Sequence, residues 1–212
     1  GSVSGASRYD DSCLRLPSPR GTPDRKHRHA HEDGYCRDEQ RAADRLLDIH
    51  GAAHTIIWAE GKKIGEESKK QAAAFAAVFS SAWREKLPGI DVYSANPEQV
   101  TKEAPSGEAI GMGAFMIYGK REWYKKTPLE FAIGYKKTEE SLEAFSGHPD
   151  AVKARCDFSL PVKFGESSKG DAAKKILGIF RSRLAIKDAF SHDEIVALLP
   201  SGGISVLYGT GK

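Results

Sequence analysis

Cysteine is scarce in this chain. Cys13, Cys36 and Cys156 are odd in number and far apart, which excludes a disulfide framework and any paired-cysteine zinc site. Long apolar runs are missing too. Nothing approaches the ~20 residues that span a bilayer as a helix, and the N-terminus lacks the apolar heart of a secretion signal. The expectation is a soluble, cytoplasmic protein with no membrane partner. Neither sign of charge dominates: 32 Lys and Arg against 29 Asp and Glu leave +3 and a pI near 8.7. That balance permits nucleic-acid binding without requiring it, so local clusters decide. A phosphate-loop spacing is absent, since the run from Gly165 to Gly170 does not meet GxxxxGK[ST]. An initiating methionine is absent as well, and Gly1-Ser2 reads as a tag remnant or the start of a piece of a longer protein.

What is present is enough to fold. At 212 residues and 40% hydrophobic content the chain can bury a core. Residues 1–45 carry turn formers (Pro17, Pro19, Gly21, Pro23), few large apolar side chains and no period, and read as a linker or loosely held arm. His27, His29 and His31 lie in a basic tract that no further ligand cluster completes, so it reads as solvated. Asp38 to Leu47 has the composition of a short helix. Beyond it, Asp48, His50 and His54 have the residue types of a metal triplet or an acid-base pair, but Gly51 breaks the helical register that would bring the two histidines to one face. A structural or phosphate-contacting role is the alternative, and no metal or cofactor is expected.

Thr55 to Trp58 is β-rich. An alanine-rich helix is predicted over about 66–85, with Ala72, Phe75, Ala76, Phe79 and Trp83 at spacings of three and four, and Pro88-Gly89 ends it. Asp91 to Ala95 reads as a strand. The densest stretch runs from Gly107 to Gly134. Its apolar Ala114 to Tyr118 reads as one strand and Leu129 to Ile133 as a second, joined as a hairpin by Lys120, Arg121, Trp123, Tyr124, Lys125 and Lys126. Cations neutralise phosphates and flat rings stack on exposed bases, so this connection suits a polyanion. It suits a solvated hairpin tip as well. Downstream, Ala151 to Val162 reads as strand interrupted by Pro161, Gly165 to Lys169 as a turn, Asp171 to Leu184 as a helix, a short helix follows Ser191, and Ile204 to Tyr208 closes as a strand.

The runs Val92-Tyr93, Pro97 to Lys102, Pro105 to Glu108 and Gly113 to Arg121, with Asp48 to Ala52 and Ser81 to Trp83 upstream, resemble the NFACT-R domain of NFACT proteins. The wording from Gly113 to Arg121 is similar to the archaeal branch, as are Ala151 to Arg155, Lys169 to Phe180 and Asp193 to Gly203. Leu46 stands where the family has a histidine. The resemblance implies an RNA-binding module, without catalysis, whose partners are transfer RNA or large-subunit ribosomal RNA and the large ribosomal subunit in the rescue of stalled chains. The expected contacts are His50, Lys102, Lys120, Arg121, Trp123, Tyr124, Lys125 and Lys126. The alternatives are a stand-alone DNA-binding or protein-docking module, or a metal-dependent hydrolase using Asp48, His50 and His54. The fold class expected is α+β: a mixed or antiparallel sheet packed by the alanine-rich helix over residues 46–137, then a smaller α+β unit over residues 138–212.

Overall fold

The computed structural model describes residues 14–15, 45–48, 55–57, 63–101, 116–186 and 189–207, the first two segments as backbone only. The architecture is α+β, with two antiparallel sheets sharing a core. The first sheet has the order β3-β2-β4-β7, formed by β2 (Arg45–Asp48), β3 (Thr55–Ile57), β4 (Gly89–Ala95) and β7 (Glu122–Pro128). The second has the order β1-β9-β8-β10-β11, formed by β1 (Leu14–Arg15), β8 (Phe131–Lys137), β9 (Leu142–Gly147), β10 (Phe158–Ser167) and β11 (Ile204–Val206). A small ladder pairs β5 (Val100–Thr101) with β6 (Met116–Ile117).

Helix α1 (Glu66–Val78) lies on the first sheet. Glu66 and Glu67 in its first turn complement the helix dipole, and Ala72, Ala73, Ala74, Ala76 and Ala77 are buried, so small side chains let the backbone settle close to the strands. The single predicted helix is broken after Phe79. Ser80 is extended, its Oγ accepts from Ala82 N–H at 3.2 Å and donates to Ala77 carbonyl at 2.6 Å, and it opens the short helix α2 (Ser81–Arg84). Apolar spacing continues across the break, which is why periodicity alone missed it.

The turn lets Trp83 enter the space between the sheets. It is fully buried, meets Phe131 and Phe164 edge-on at 6.0 Å each, and donates its indole N–H to Gly203 carbonyl at 3.2 Å. Gly203 sits against Gly165 so closely that a Cβ on it would lie 2.0 Å from Gly165 O, so β10 and the approach to β11 cross where neither residue has room for a side chain.

In the second sheet the strand period shows directly. Phe131, Ile133 and Tyr135 on β8, with Phe158, Leu160 and Val162 on β10, face the main core, together with α4 (Lys169–Leu184) and α5 (His192–Ala197). Ala132 and Phe145 face the other way onto Val152 and Cys156, at α3 (Pro149–Arg155). Pro161 lies inside β10, contrary to the expected interruption. Its carbonyl accepts from Leu207 just past β11, so its missing N–H falls where pairing already ends.

Three further expectations change. Arg45 to Leu47, expected as the end of a helix, are strand β2, paired to both β3 and β4. Residues 151–155, expected as strand, belong to helix α3, which has Pro149 in its first turn. The predicted hairpin does not form: β6 pairs with β5, β7 with β4, and β8 with β9 and β10. Most of the presumed connection is itself strand β7, and only Leu129 and Glu130 separate it from β8. Ser191 caps α5 as expected, through a reciprocal pair with Glu194.

Truncation of Trp83 to alanine should destabilise the chain by about 3 to 5 kcal/mol. Trp83→Phe, which keeps an edge contact but loses the N–H donor, should cost less. Denaturant unfolding of both variants checks the order, and equal costs would show that the ring contacts phenylalanine keeps with Phe131 and Phe164 contribute nothing.

Candidate nucleic-acid interface

The site is built on β7 and the turn before it. Gln99 holds that turn: its side-chain amide donates to Tyr118 carbonyl at 2.7 Å and Lys120 carbonyl at 3.0 Å, while its own carbonyl accepts from Tyr118 N–H at 2.9 Å. Gly119 between them has φ of +81°, a left-handed conformation that favours glycine. Tyr118 is left half exposed and Lys120 exposed.

Along β7 the faces alternate, then shift. Tyr124 packs against the core under α1, and burial pushes its phenol up. Trp123 is on the opposite face and 48% exposed. Between Ile90↔Thr127 and Val92↔Tyr124 one residue of β4, Asp91, faces two of β7, Lys125 and Lys126, which is a β-bulge. Lys126 takes φ of +52° there. The bulge returns Thr127 to the buried side and leaves both lysines exposed. Asp91 clamps it, one carboxylate oxygen accepting from Lys126 N–H at 2.8 Å and the other from Lys125 Nζ at 2.7 Å. The Lys125 hydrogen bond and then the Lys126 one hold the Asp91 carboxyl below its ordinary value.

On the outward side cations and rings alternate, with Trp123 and Lys125 exposed, Arg121 partly so and Tyr93 buried. Arg121 lies 4.5 Å from the Tyr93 ring centre, Tyr93 and Trp123 are 5.2 Å apart across the strands, and Lys125 Nζ lies 4.4 Å from the Trp123 ring. Asp48 is opposite Tyr93 in the β2–β4 register, so Asp48, Tyr93 and Trp123 occupy one row across three strands.

Of the eight residues expected from sequence, Arg121, Trp123 and Lys125 come together here, with Lys120 and Lys126 exposed at the two ends. Tyr124 is on the other face. His50 and Lys102 lie outside the described residues, as do His54 and the side chain of Asp48. Among the described residues no three His, Cys, Asp or Glu side chains gather as a metal site, and no helix is long and apolar enough to cross a membrane. The sequence reading missed Asp91, Gln99 and Tyr93 as parts of this face. Strand alternation from Tyr93 offered a signal for one of them, but the pairing partner that gives it meaning was assigned to a loop.

Residues 39–119 match the family described as the NFACT protein RNA binding domain. The chain carries an NFACT-R domain. The match covers β2 to β6 and ends three residues before β7, the strand that pairs with its β4. The chain is 32% identical over 160 residues to the archaeal Rqc2 homolog aRqcH of Methanocaldococcus jannaschii, covering 76% of this chain and 23% of that protein. It is 30% identical over 175 residues to the ribosome quality control complex subunit NEMF homolog of Drosophila melanogaster, covering 78% and 17%. Against the human subunit NEMF it is 30% identical over 96 residues, covering 44% and 9%. The chain thus spans less than a quarter of the length of these relatives. The first two alignments are longer than the NFACT-R match itself, so similarity to them extends beyond that domain.

A carboxylate with a depressed folded pKa stabilises fully above its unfolded value, and that contribution is lost as pH falls through the folded value. Asp91→Asn should therefore be less stable than the parent near neutral pH. The difference should shrink below pH 3.8, the unperturbed carboxylate value, and vanish once the folded carboxyl protonates. Unfolding curves from about pH 7 to about pH 2 check this. A difference that stays constant to the acid end would mean that Asp91 ionisation does not hold the bulge.

Proposed function

We propose that this chain is the RNA-binding module of an NFACT-type protein, contacting transfer RNA or large-subunit ribosomal RNA where stalled large ribosomal subunits are rescued. The observation that carries the reading is the Arg121–Tyr93–Trp123–Lys125 face on the sheet of the NFACT-R domain. The names of the two animal relatives, which place them in a ribosome quality control complex, support the setting.

The module works by charge neutralisation and stacking. Lys120, Arg121, Lys125 and Lys126 take phosphates, and Trp123 takes an unpaired base. Lys125 now lies against the Trp123 ring, so stacking there requires the ammonium to swing away to a phosphate. Tyr124 is the anchor, holding β7 to the core beneath α1. His50 and Lys102 are proposed as further phosphate contacts.

Trp123→Ala should weaken looped or single-stranded RNA by about 1 to 3 kcal/mol, with a perfect duplex barely affected because its bases are already stacked. Tyr124→Ala should instead lower the melting temperature. Replacing Arg121 and Lys125 together by alanine should reduce the log-log salt slope by about 1.4 to 1.8. Binding titrations on a transfer RNA transcript and a matched duplex provide the measurement. Equal losses on both RNAs for Trp123→Ala, or an unchanged slope for the double variant, would remove this face from the interface.

A further inference from the structure

Helix α4 presents a second cationic face, outside the NFACT-R match and on a different element from β7. Its buried side is Ala172, Ala173, Ile176, Leu177 and Phe180. At about 100° per residue, the opposite side reads Asp171, Lys174, Lys175, Gly178, Arg181, Ser182 and Ala185, all of them exposed. Gly178 is at its centre, with Lys174 and Arg181 along one flank and Lys175 and Ser182 along the other. The single acid is already engaged. Asp171 is held by Ser168 at the N-cap, and its contact with Lys174 is a long 3.5 Å pair on the surface. Lys175 and Arg181 have no ion pair among the described residues.

Glycine in mid-helix needs a reason, because only proline is a poorer helix former. Packing among the described residues does not supply one: a Cβ on Gly178 would meet none of them within 4 Å. The backbone there is bare on the solvent side, between cations one turn away in each direction. Solvated lysines alone would leave the glycine unaccounted for. A polyanion lying along the helix accounts for both, since its backbone can approach the bare turn while the flanking cations reach phosphates.

We propose that the outward face of α4 is a second contact for the sugar-phosphate backbone of RNA, centred on Gly178 and using Lys174, Lys175 and Arg181. The proposal takes its ligand from the RNA-binding reading, but its site is separate. It gives the module two cationic faces, one that stacks bases and one that follows backbone without regard to sequence.

The test uses the full chain and a transfer RNA transcript. Lys174, Lys175 and Arg181 replaced together by alanine should reduce the salt slope by about 2.1 to 2.7. Gly178→Ala should raise the melting temperature, showing that the fold does not need the glycine. Gly178→Leu, with no charge changed and melting no lower than the parent, should weaken binding about tenfold. The Arg121 and Lys125 double variant is run alongside, so failure of the β7 face and failure of the α4 face are read separately. An unchanged slope in the triple variant, or parental affinity in Gly178→Leu, overturns the proposal. So does loss of poly-glutamate binding with RNA binding retained, which would assign the face to an acidic protein.

Discussion

The structure depends on Trp83 standing between two sheets. Its indole fills the gap that α1 and α2 leave beside Phe131 and Phe164, and its one polar atom is satisfied by Gly203 carbonyl, so the largest side chain in the core carries no unpaired donor. That hydrogen bond ties residue 83 to residue 203, near the far end of the chain. The Gly165–Gly203 crossing follows from the same packing, because the strand that offers the acceptor has to pass with no side chain between. One cluster therefore runs from Ile57 to Val206, and the first sheet is held by residues far outside the segment that matches the NFACT-R domain.

Strand β7 converts this packing into a surface. Its inward residues, Tyr124 and Thr127, belong to the core side, and Leu129 just after it joins the main cluster, so the strand's position and tilt are set by burial. Its outward residues are then free to differ in chemistry without cost to the core. The bulge opposite Asp91 matters for this reason. Strict alternation would have turned one of two adjacent lysines inward, and the extra residue keeps both exposed.

Sequence periodicity revealed the elements that stand on local signals. The alanine-rich helix, strand β4, the α4 stripe and the Ser191 cap were all legible, because each is encoded within a few residues. What escaped was pairing. Ala114 to Tyr118 and Leu129 to Ile133 look like the arms of a hairpin, yet β6 and β8 belong to different sheets, and polar, basic β7 was hidden by its own composition. Half-buried edge-like strands alternate weakly when a bulge interrupts them, so Lys125-Lys126 read as loop. The break at Ser80 escaped for a similar reason, since a hydroxyl that caps one helix and bonds back to another leaves the apolar spacing intact. The cations and rings of the site were legible as types. Their arrangement was not, because Tyr93 and Asp91 reach them only across strands.

Asp91 shows how such a face can be preformed and still yield to a ligand. Its carboxylate makes two bonds of different character: the one to Lys126 N–H belongs to the backbone of the bulge, and the one to Lys125 Nζ belongs to an exposed, flexible ammonium. An exposed ion pair contributes little net stability and weakens with salt, so in the proposed interface a phosphate at Lys125 would displace only a weak partner. The backbone bond survives that exchange. If RNA binds here as proposed, the bulge would keep its shape while the lysine leaves, and the Trp123 ring that Lys125 covers would open to a base. On the proposed reading, phosphate capture and stacking would be coupled through one side chain, which would favour RNA segments that offer a phosphate and an unpaired base together over those that offer charge alone.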